Sequence, residues 1–144
     1  VLKLAKDFEN IVAVKEASGD LVQGMEILRN APNNFDVISG DDMTALGLVL
    51  AGGSGVISVI GEGMPSAFSQ MINFGLESKV KEAFSLQYKL MPIVEMIFEE
   101  GNPAGIKSLL SHLDIVGLAT RLPLVEASLE LNERIGGFLD NFDS

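Results

Sequence analysis

One lysine stands out in the sequence because of the residues around it. Lys15 directly follows the apolar run 11–14, and Ser18 and Gly19 come shortly after it. A short β-branched run that ends in such residues predicts a buried strand leading into a loop. Strands of a parallel sheet are apolar along their length, so a charge at the carboxyl end is out of pattern. In α/β folds, ligands bind at that end of the sheet.

The chemistry open to a lysine in this position is nucleophilic attack by its amine. Removal from water favours the neutral amine over the ammonium ion, and the neutral amine is the form that attacks a carbonyl carbon. Lys15 is therefore a candidate for forming a Schiff base with a carbonyl substrate. The alternative is a strand-end lysine whose amine simply reaches water, and position alone favours that alternative.

Short apolar runs alternate with helical stripes in the first part of the chain. Strands are predicted at residues 11–14, 35–39 and 56–60, with helices between them at about residues 20–28 and 43–50. Asp20 and Asp42 stand where they could cap those two helices. Strand–helix–strand order with short connections is typical of right-handed βαβ units, which predicts a parallel sheet.

After residue 60 the pattern predicts only helices. They are expected at residues 65–78, 80–99 and 103–113 and within 122–140, where the last one opens after Pro123. Pro92 should kink the second of these helices. A (β/α)8 barrel needs eight strands and about 250 residues, whereas this chain has 144 residues. We therefore predict an α/β fold. Residues 1–78 would form about three C-terminal strands of a TIM barrel, followed by a C-terminal helical extension at residues 79–144. The start at Val1 indicates a piece of a longer protein.

Each predicted strand ends in small or polar residues, and in a barrel these ends would meet on one face. Two alternatives to Schiff-base chemistry follow from them. The glycine-rich residues 52–55 could hold an anion on backbone N–H groups, and Asp41 with Asp42 could bind Mg²⁺. The glycine loop precedes a strand, which favours a tight turn at the opposite face, and helix capping is the simpler role for an acidic residue here.

Composition excludes several classes of function. The formal net charge of −10 argues against binding to nucleic acid or to an anionic membrane. The absence of cysteine excludes disulfides, thiolate metal sites and cysteine nucleophiles. The single histidine, His112, lies on an apolar stripe, so a zinc site is not expected and a structural role is. The longest apolar run, residues 45–51, is too short to span a bilayer.

Several motifs occur in order along the chain. They are Val-Lys-Glu-Ala-Ser-Gly-Asp at residues 14–20, Ser-Gly-Asp-Asp at 39–42, Gly-Gly-Ser-Gly-Val-Ile-Ser-Val at 52–59, Asn-Pro at 102–103 and Arg-Leu-Pro-Leu at 121–124. Together they resemble the carboxyl-terminal half of the dihydrodipicolinate synthase family. Related N-acetylneuraminate lyase-like aldolases typically depart from the second motif, which favours the synthase branch.

The resemblance implies a (β/α)8 barrel with Lys15 on the sixth strand, forming a Schiff base with pyruvate. The enamine would then attack aspartate semialdehyde, in the diaminopimelate route of lysine biosynthesis. It also implies that Gly40 lines the substrate pocket and that the Ile57 carbonyl lies beside the Schiff-base lysine. Such enzymes need no metal or organic cofactor and are typically cytoplasmic homotetramers.

The family's proton-relay tyrosines and threonine, its aldehyde-binding arginine and its carboxylate-binding loop belong to the amino-terminal half. The only tyrosine here, Tyr88, falls on a late predicted helix. General acid–base catalysis is worth about 10²–10⁴-fold in rate, so we predict negligible synthase activity for the 144-residue chain alone. The alternatives left open are a sialate or 2-keto-3-deoxy sugar-acid aldolase, and a non-catalytic half-barrel that self-associates as an assembly module.

Overall fold

A computed structural model describes residues 1–142 as a three-stranded parallel sheet with α-helices. The elements in chain order are α1 (Leu2–Asp7), β1 (Ala13–Glu16), α2 (Leu21–Asn30), β2 (Asp36–Ser39), α3 (Ala45–Leu50), β3 (Gly55–Val56), a 3₁₀ turn (Ile60–Glu62), α4 (Pro65–Leu76), α5 (Val80–Glu99), α6 (Ala104–His112) and α7 (Leu129–Phe142). The chain divides into two compact units. The sheet unit comprises Val1–Ser58 and Ser69–Ser85, and the helical unit comprises Val59–Phe68 and the chain from Leu86 onward.

The sheet has the order β1-β2-β3, with both pairings parallel. Lys15 lies opposite Ile38, and Val14 lies opposite Val37. Because side chains alternate between the two faces of a strand, the first pair shares one face and the second pair shares the other. Val37 is fully buried and Lys15 is exposed, so the two faces of the sheet differ in their access to solvent.

The buried face of the sheet is covered by α2 and α3. Val37 packs in a cluster with three other buried side chains, Ile27, Phe35 and Leu48. The two helices approach closely at Gly24, where a Cβ atom would lie 2.6 Å from Leu48 Cδ1. The predicted cap of α2 is confirmed, because Asp20 Oδ1 accepts hydrogen bonds from the backbone N–H groups of Val22 at 2.8 Å and Gln23 at 3.2 Å.

The helical unit brings α6 against both α5 and α7. Gly105 allows the first contact, since a Cβ there would collide with the backbone of Ile97. On the other side, the buried Ser108 Oγ donates to Asn132 Oδ1 at 2.7 Å. The interior is apolar, and its most deeply buried side chains include Leu90, Ile93, Ile97, Leu109, Leu131 and Ile135. No helix within residues 1–142 is both long and apolar enough to cross a lipid bilayer.

Two predicted strand boundaries are wrong. The first strand was expected at residues 11–14, but the ladder covers Ala13–Glu16, so Lys15 lies inside the strand. The third was expected at residues 56–60, but only Gly55–Val56 pairs. Its partner β2 ends at Ser39, and the chain turns into a 3₁₀ helix from Ile60.

Two predicted helix starts are also wrong. The last helix begins at Leu129, well after Pro123, and Ser128 Oγ accepts the N–H of Leu131 at 3.2 Å. The helix expected from residue 43 begins at Ala45. Its N-cap residue is Thr44 and not the predicted Asp42, and the Asp41 carboxylate accepts hydrogen bonds from Thr44.

Candidate active site

Lys15 and Gly40 come from neighbouring strands and touch. The Lys15 stem lies across Gly40, because a Cβ atom there would be 2.6 Å from Lys15 Cε and 2.9 Å from Lys15 Cγ. The same Cβ would lie 2.6 Å from the Cβ of Ala17. Any side chain at position 40 would therefore displace the Lys15 stem, the Ala17 methyl group or both.

Hydrogen bonds from its neighbours hold Gly40 in this position. Its N–H donates to the Glu16 carbonyl at 2.7 Å, which continues the ladder beyond the end of β2. The buried Ser39 hydroxyl donates to the Asp41 carbonyl at 3.0 Å and lies 3.2 Å from the Asp41 N–H. Asp41 Oδ1 accepts from the N–H of Thr44 at 2.8 Å and from its hydroxyl at 2.7 Å. The turn at Gly40 is thus fixed on both sides.

The loop from β1 to α2 is organised by Glu16, a residue for which the sequence pattern predicts no separate role. Glu16 Oε1 accepts the N–H of Ser18 at 2.6 Å, and Oε2 accepts Gln23 Nε2 at 2.7 Å. Hydrogen bonds from Ser18, through its side chain first and its backbone second, hold the pKa of Glu16 below its ordinary value. The only signal in the sequence was an acidic residue beside Lys15 at a strand end.

Ile57 lies at the same carboxyl edge of the sheet as Gly40. Its N–H donates to the Ser39 carbonyl at 2.8 Å, one residue beyond β3. Its side chain is 52% exposed although it is apolar. Ile57 thus follows β3, which β2 separates from β1, and the role of its carbonyl beside Lys15 stays a prediction.

The glycine-rich residues 52–55 lie at the opposite edge of the sheet, in the turn that leads from α3 into β3. The Gly53 N–H donates to the Leu48 carbonyl and the Ser54 N–H to the Val37 carbonyl, both at 2.9 Å. Because these two donors are already engaged within the chain, they are not available to an anion. The turn interpretation therefore fits the structure better than the phosphate site.

The other candidates from the sequence, Asp41, Tyr88 and His112, each have surroundings of their own. One carboxylate oxygen of Asp41 accepts both hydrogen bonds from Thr44. Within residues 1–142, no cluster of three or more His, Asp or Glu side chains is suited to hold a metal ion. Tyr88 is largely exposed on α5. His112 ends α6, with Nε2 2.9 Å from the Asn132 carbonyl and its ring against Gly136, which is a helix-packing contact.

Comparison with known proteins decides between the families that such a site could belong to. The model of the dihydrodipicolinate synthetase family matches residues 1–141. The chain belongs to this family. The resemblance inferred from the motifs is thereby confirmed, as are the lyase or aldolase class of its relatives and their place in amino-acid biosynthesis.

Individual dihydrodipicolinate synthases match nearly all of this chain but only part of their own length. The 4-hydroxy-tetrahydrodipicolinate synthase of Flavobacterium psychrophilum is 54% identical over 138 residues, which are 96% of this chain and 47% of the relative. A crystal structure of dihydrodipicolinate synthase from Aquifex aeolicus matches with a TM-score of 0.94 and 33% identity over 99% of this chain and 48% of the other.

A third similar protein is the chloride-inhibited dihydrodipicolinate synthase from Acinetobacter baumannii, solved in complex with pyruvate. It matches with a TM-score of 0.92 and 30% identity, over 99% of this chain and 48% of its own. The chain thus spans about half the length of the dihydrodipicolinate synthases it matches. Over that half, the chain has the same α/β fold as these enzymes.

Proposed function

We propose that this chain is the Schiff-base half of a dihydrodipicolinate synthase. The whole protein would condense pyruvate with aspartate semialdehyde in lysine biosynthesis. The observation that carries this proposal is the contact between the Lys15 stem and Gly40 at the carboxyl edge of a parallel sheet, in a chain of this family. Strands β1 to β3 would be the last three of an eight-stranded barrel, and the late helices its C-terminal extension.

The proposed chemistry begins at the Lys15 amine. Nζ attacks the ketone carbon of pyruvate, a C–N bond forms, and the ketone oxygen leaves as water. The resulting imine withdraws electrons, so the methyl carbon loses a proton and becomes the nucleophilic carbon of an enamine. That carbon attacks the aldehyde carbon of aspartate semialdehyde, a C–C bond forms, and the aldehyde oxygen takes up a proton. No step requires a metal or an organic cofactor.

The residues of this chain would supply the position of the nucleophile and part of the pocket. Gly40 gives the Lys15 stem its path along the sheet, since a side chain at position 40 would collide with it. The Ile57 carbonyl would point its oxygen toward the Schiff base. Because Lys15 is exposed here, the exclusion of water that favours a neutral amine would come from the other half of the protein.

Borohydride trapping tests this proposal. The whole protein that contains this segment, incubated with pyruvate and sodium borohydride, should gain the mass of one reduced pyruvate imine on the peptide that carries Lys15. Lys15→Arg should abolish the adduct, whereas Lys107→Arg, at a half-buried lysine on α6, should keep it. An adduct that survives in Lys15→Arg would refute the assignment.

Two further expectations separate the whole protein from this chain. The 144-residue chain alone should show negligible condensation of pyruvate with aspartate semialdehyde, and measurable turnover would contradict this. The whole protein should prefer aspartate semialdehyde, and preference for a sugar aldehyde would support the sugar-acid aldolase alternative instead. By the same family resemblance we propose a cytoplasmic homotetramer, which sedimentation of the whole protein would check.

A further inference from the structure

Glu16 is the residue next to the proposed nucleophile, and its side chain points away from it. Neighbouring residues on a strand face opposite sides, so the Glu16 carboxylate lies on the face opposite the Lys15 amine. Glu16 therefore does not touch a substrate bound at Lys15, and any influence on the reaction must act through the backbone they share.

Every acceptor on Glu16 is engaged in holding the end of β1. Its carbonyl takes the Gly40 N–H at 2.7 Å, the hydrogen bond that fixes β1 to the turn beneath the Lys15 stem. Its two carboxylate oxygens take Ser18 N–H at 2.6 Å and Gln23 Nε2 at 2.7 Å. One residue thus ties together β1, the loop after it and the turn at Gly40.

The connection reaches the first turn of α2. Gln23 is the third residue of that helix, and its Nε2 also lies 3.2 Å from Ser18 Oγ. Ser18 Oγ in turn accepts the N–H of Asp20, the capping residue, at 3.1 Å. The first turn of α2 therefore anchors Glu16, and bonds to an ionised acceptor are stronger than bonds between neutral groups.

We propose that Glu16 is a positioning residue for Lys15: its carboxylate locks the end of β1 to Ser18 and Gln23, and this holds the Lys15 stem in its path across Gly40. The proposal rests on the proposed function, since positioning matters only if Lys15 forms the Schiff base. A displacement of about 1 Å at a reacting group can cost about 10²-fold in rate. Loss of this connection should therefore slow the chemistry more than it destabilises the protein.

The test is the rate of borohydride trapping in the whole protein, measured at saturating pyruvate. Glu16→Ala should slow adduct formation about tenfold or more, with a thermal unfolding midpoint close to that of the unmodified protein. Gln23→Glu alone should also slow it, because two carboxylates would then face each other. Glu133→Gln, at an exposed acidic residue on α7, is the control for lost charge and should trap at the normal rate.

A double variant that exchanges the residues at positions 16 and 23, the swapped pair, tests whether the contact between them can be restored. In the double variant Glu16→Gln with Gln23→Glu, the amide at position 16 can donate to the carboxylate at position 23 while its oxygen still accepts from Ser18. Trapping should recover to within a few-fold of the unmodified rate. Amide hydrogen exchange at residues 17–20 should rise in Glu16→Ala and fall back in the swapped pair, because the Ser18 N–H is released and then recaptured.

The outcomes separate the two proposals. If the unmodified protein forms no adduct, the proposed function is refuted, and with it the role of Glu16. If the unmodified protein is trapped at Lys15 but Glu16→Ala is trapped equally fast, only the role of Glu16 is refuted. A slow Glu16→Ala variant that the swapped pair does not rescue would equally overturn the connection through Gln23.

Discussion

The sheet unit and the helical unit place their polar groups differently. In the sheet unit, the hydrogen-bonded side chains of Glu16, Ser39 and Asp41 gather where strands end and hold loops beside an exposed lysine. In the helical unit, polar pairs such as Arg134 with Glu99, joined by two bonds of 2.8 Å, tie helices together around an apolar interior. We therefore expect substitutions in the sheet unit to alter chemistry and those in the helical unit to alter stability.

The largest effect should come from Lys15, the proposed nucleophile. Lys15→Arg keeps a positive charge but removes the amine that we propose attacks pyruvate, so trapping and condensation should both be lost in the whole protein. Because Lys15 is exposed, the free energy of unfolding should change by less than about 0.5 kcal/mol. A large loss of stability in denaturant titrations would contradict the expectation that substitutions in the sheet unit alter chemistry and not stability.

The next largest effect should lie in the helical unit. Leu109 is fully buried, so Leu109→Ala should lower the free energy of unfolding by about 2–5 kcal/mol. Leu122, on the same unit, is 91% exposed, and Leu122→Ala should change that free energy by less than about 0.5 kcal/mol. Folded Leu109→Ala protein should still trap pyruvate at the normal rate. Slow trapping would show that the helical unit also affects the chemistry, contrary to the comparison.

A methyl group added at Gly40 should affect the chemistry, whereas one added in the helical unit should not. Gly40→Ala would place its Cβ within 2.6 Å of the Lys15 stem, which should slow trapping by about 10²-fold. Gly137 on α7 has no atom within 4 Å of the corresponding position. Gly137→Ala should therefore raise stability by about 0.5–1 kcal/mol and leave trapping unchanged. Equal effects of the two variants on trapping would contradict the assignment of Gly40.

The smallest effect should appear in acid. Because hydrogen bonds lower the pKa of Glu16 in the folded state, its carboxylate stabilises the fold above the ordinary glutamate value, about pH 4.3, and loses this effect as pH falls below that value. Glu16→Gln should therefore lose less stability between neutral pH and pH 3 than the unmodified protein. Glu133→Gln controls for the change in net charge. If stability falls with pH equally in both variants, the lowered pKa of Glu16 does not contribute to acid sensitivity.

The sequence predicted the order of strands and helices because its signals are local. β-branched runs, Asp20 and Pro103 mark strands and helix starts within a few residues of themselves. The ends of β1 and β3 were misplaced because a ladder ends where its partner ends. The length of β2, which stops at Ser39, set both limits.

The site could be predicted only in part for the same reason. Lys15 and Gly40 stood out by residue type and motif, but their contact depends on the register between two strands. Asp41 and Asp42 are neighbours with the same chemistry, and the bonds from Thr44 to Asp41 depend on the folded turn and not on residue type. Glu16 looked like an ordinary acidic residue because its partner Gln23 lies on the next helix.

The place of β1 at the edge of the described sheet has a consequence for how this segment behaves in solution. An edge strand offers backbone groups to which another extended chain can add, and a charged side chain on that strand opposes such additions. Lys15 is such a charge, and it directly follows the apolar residues Ala13 and Val14. In the isolated segment, an apolar replacement at position 15 should therefore lower solubility, whereas arginine should not.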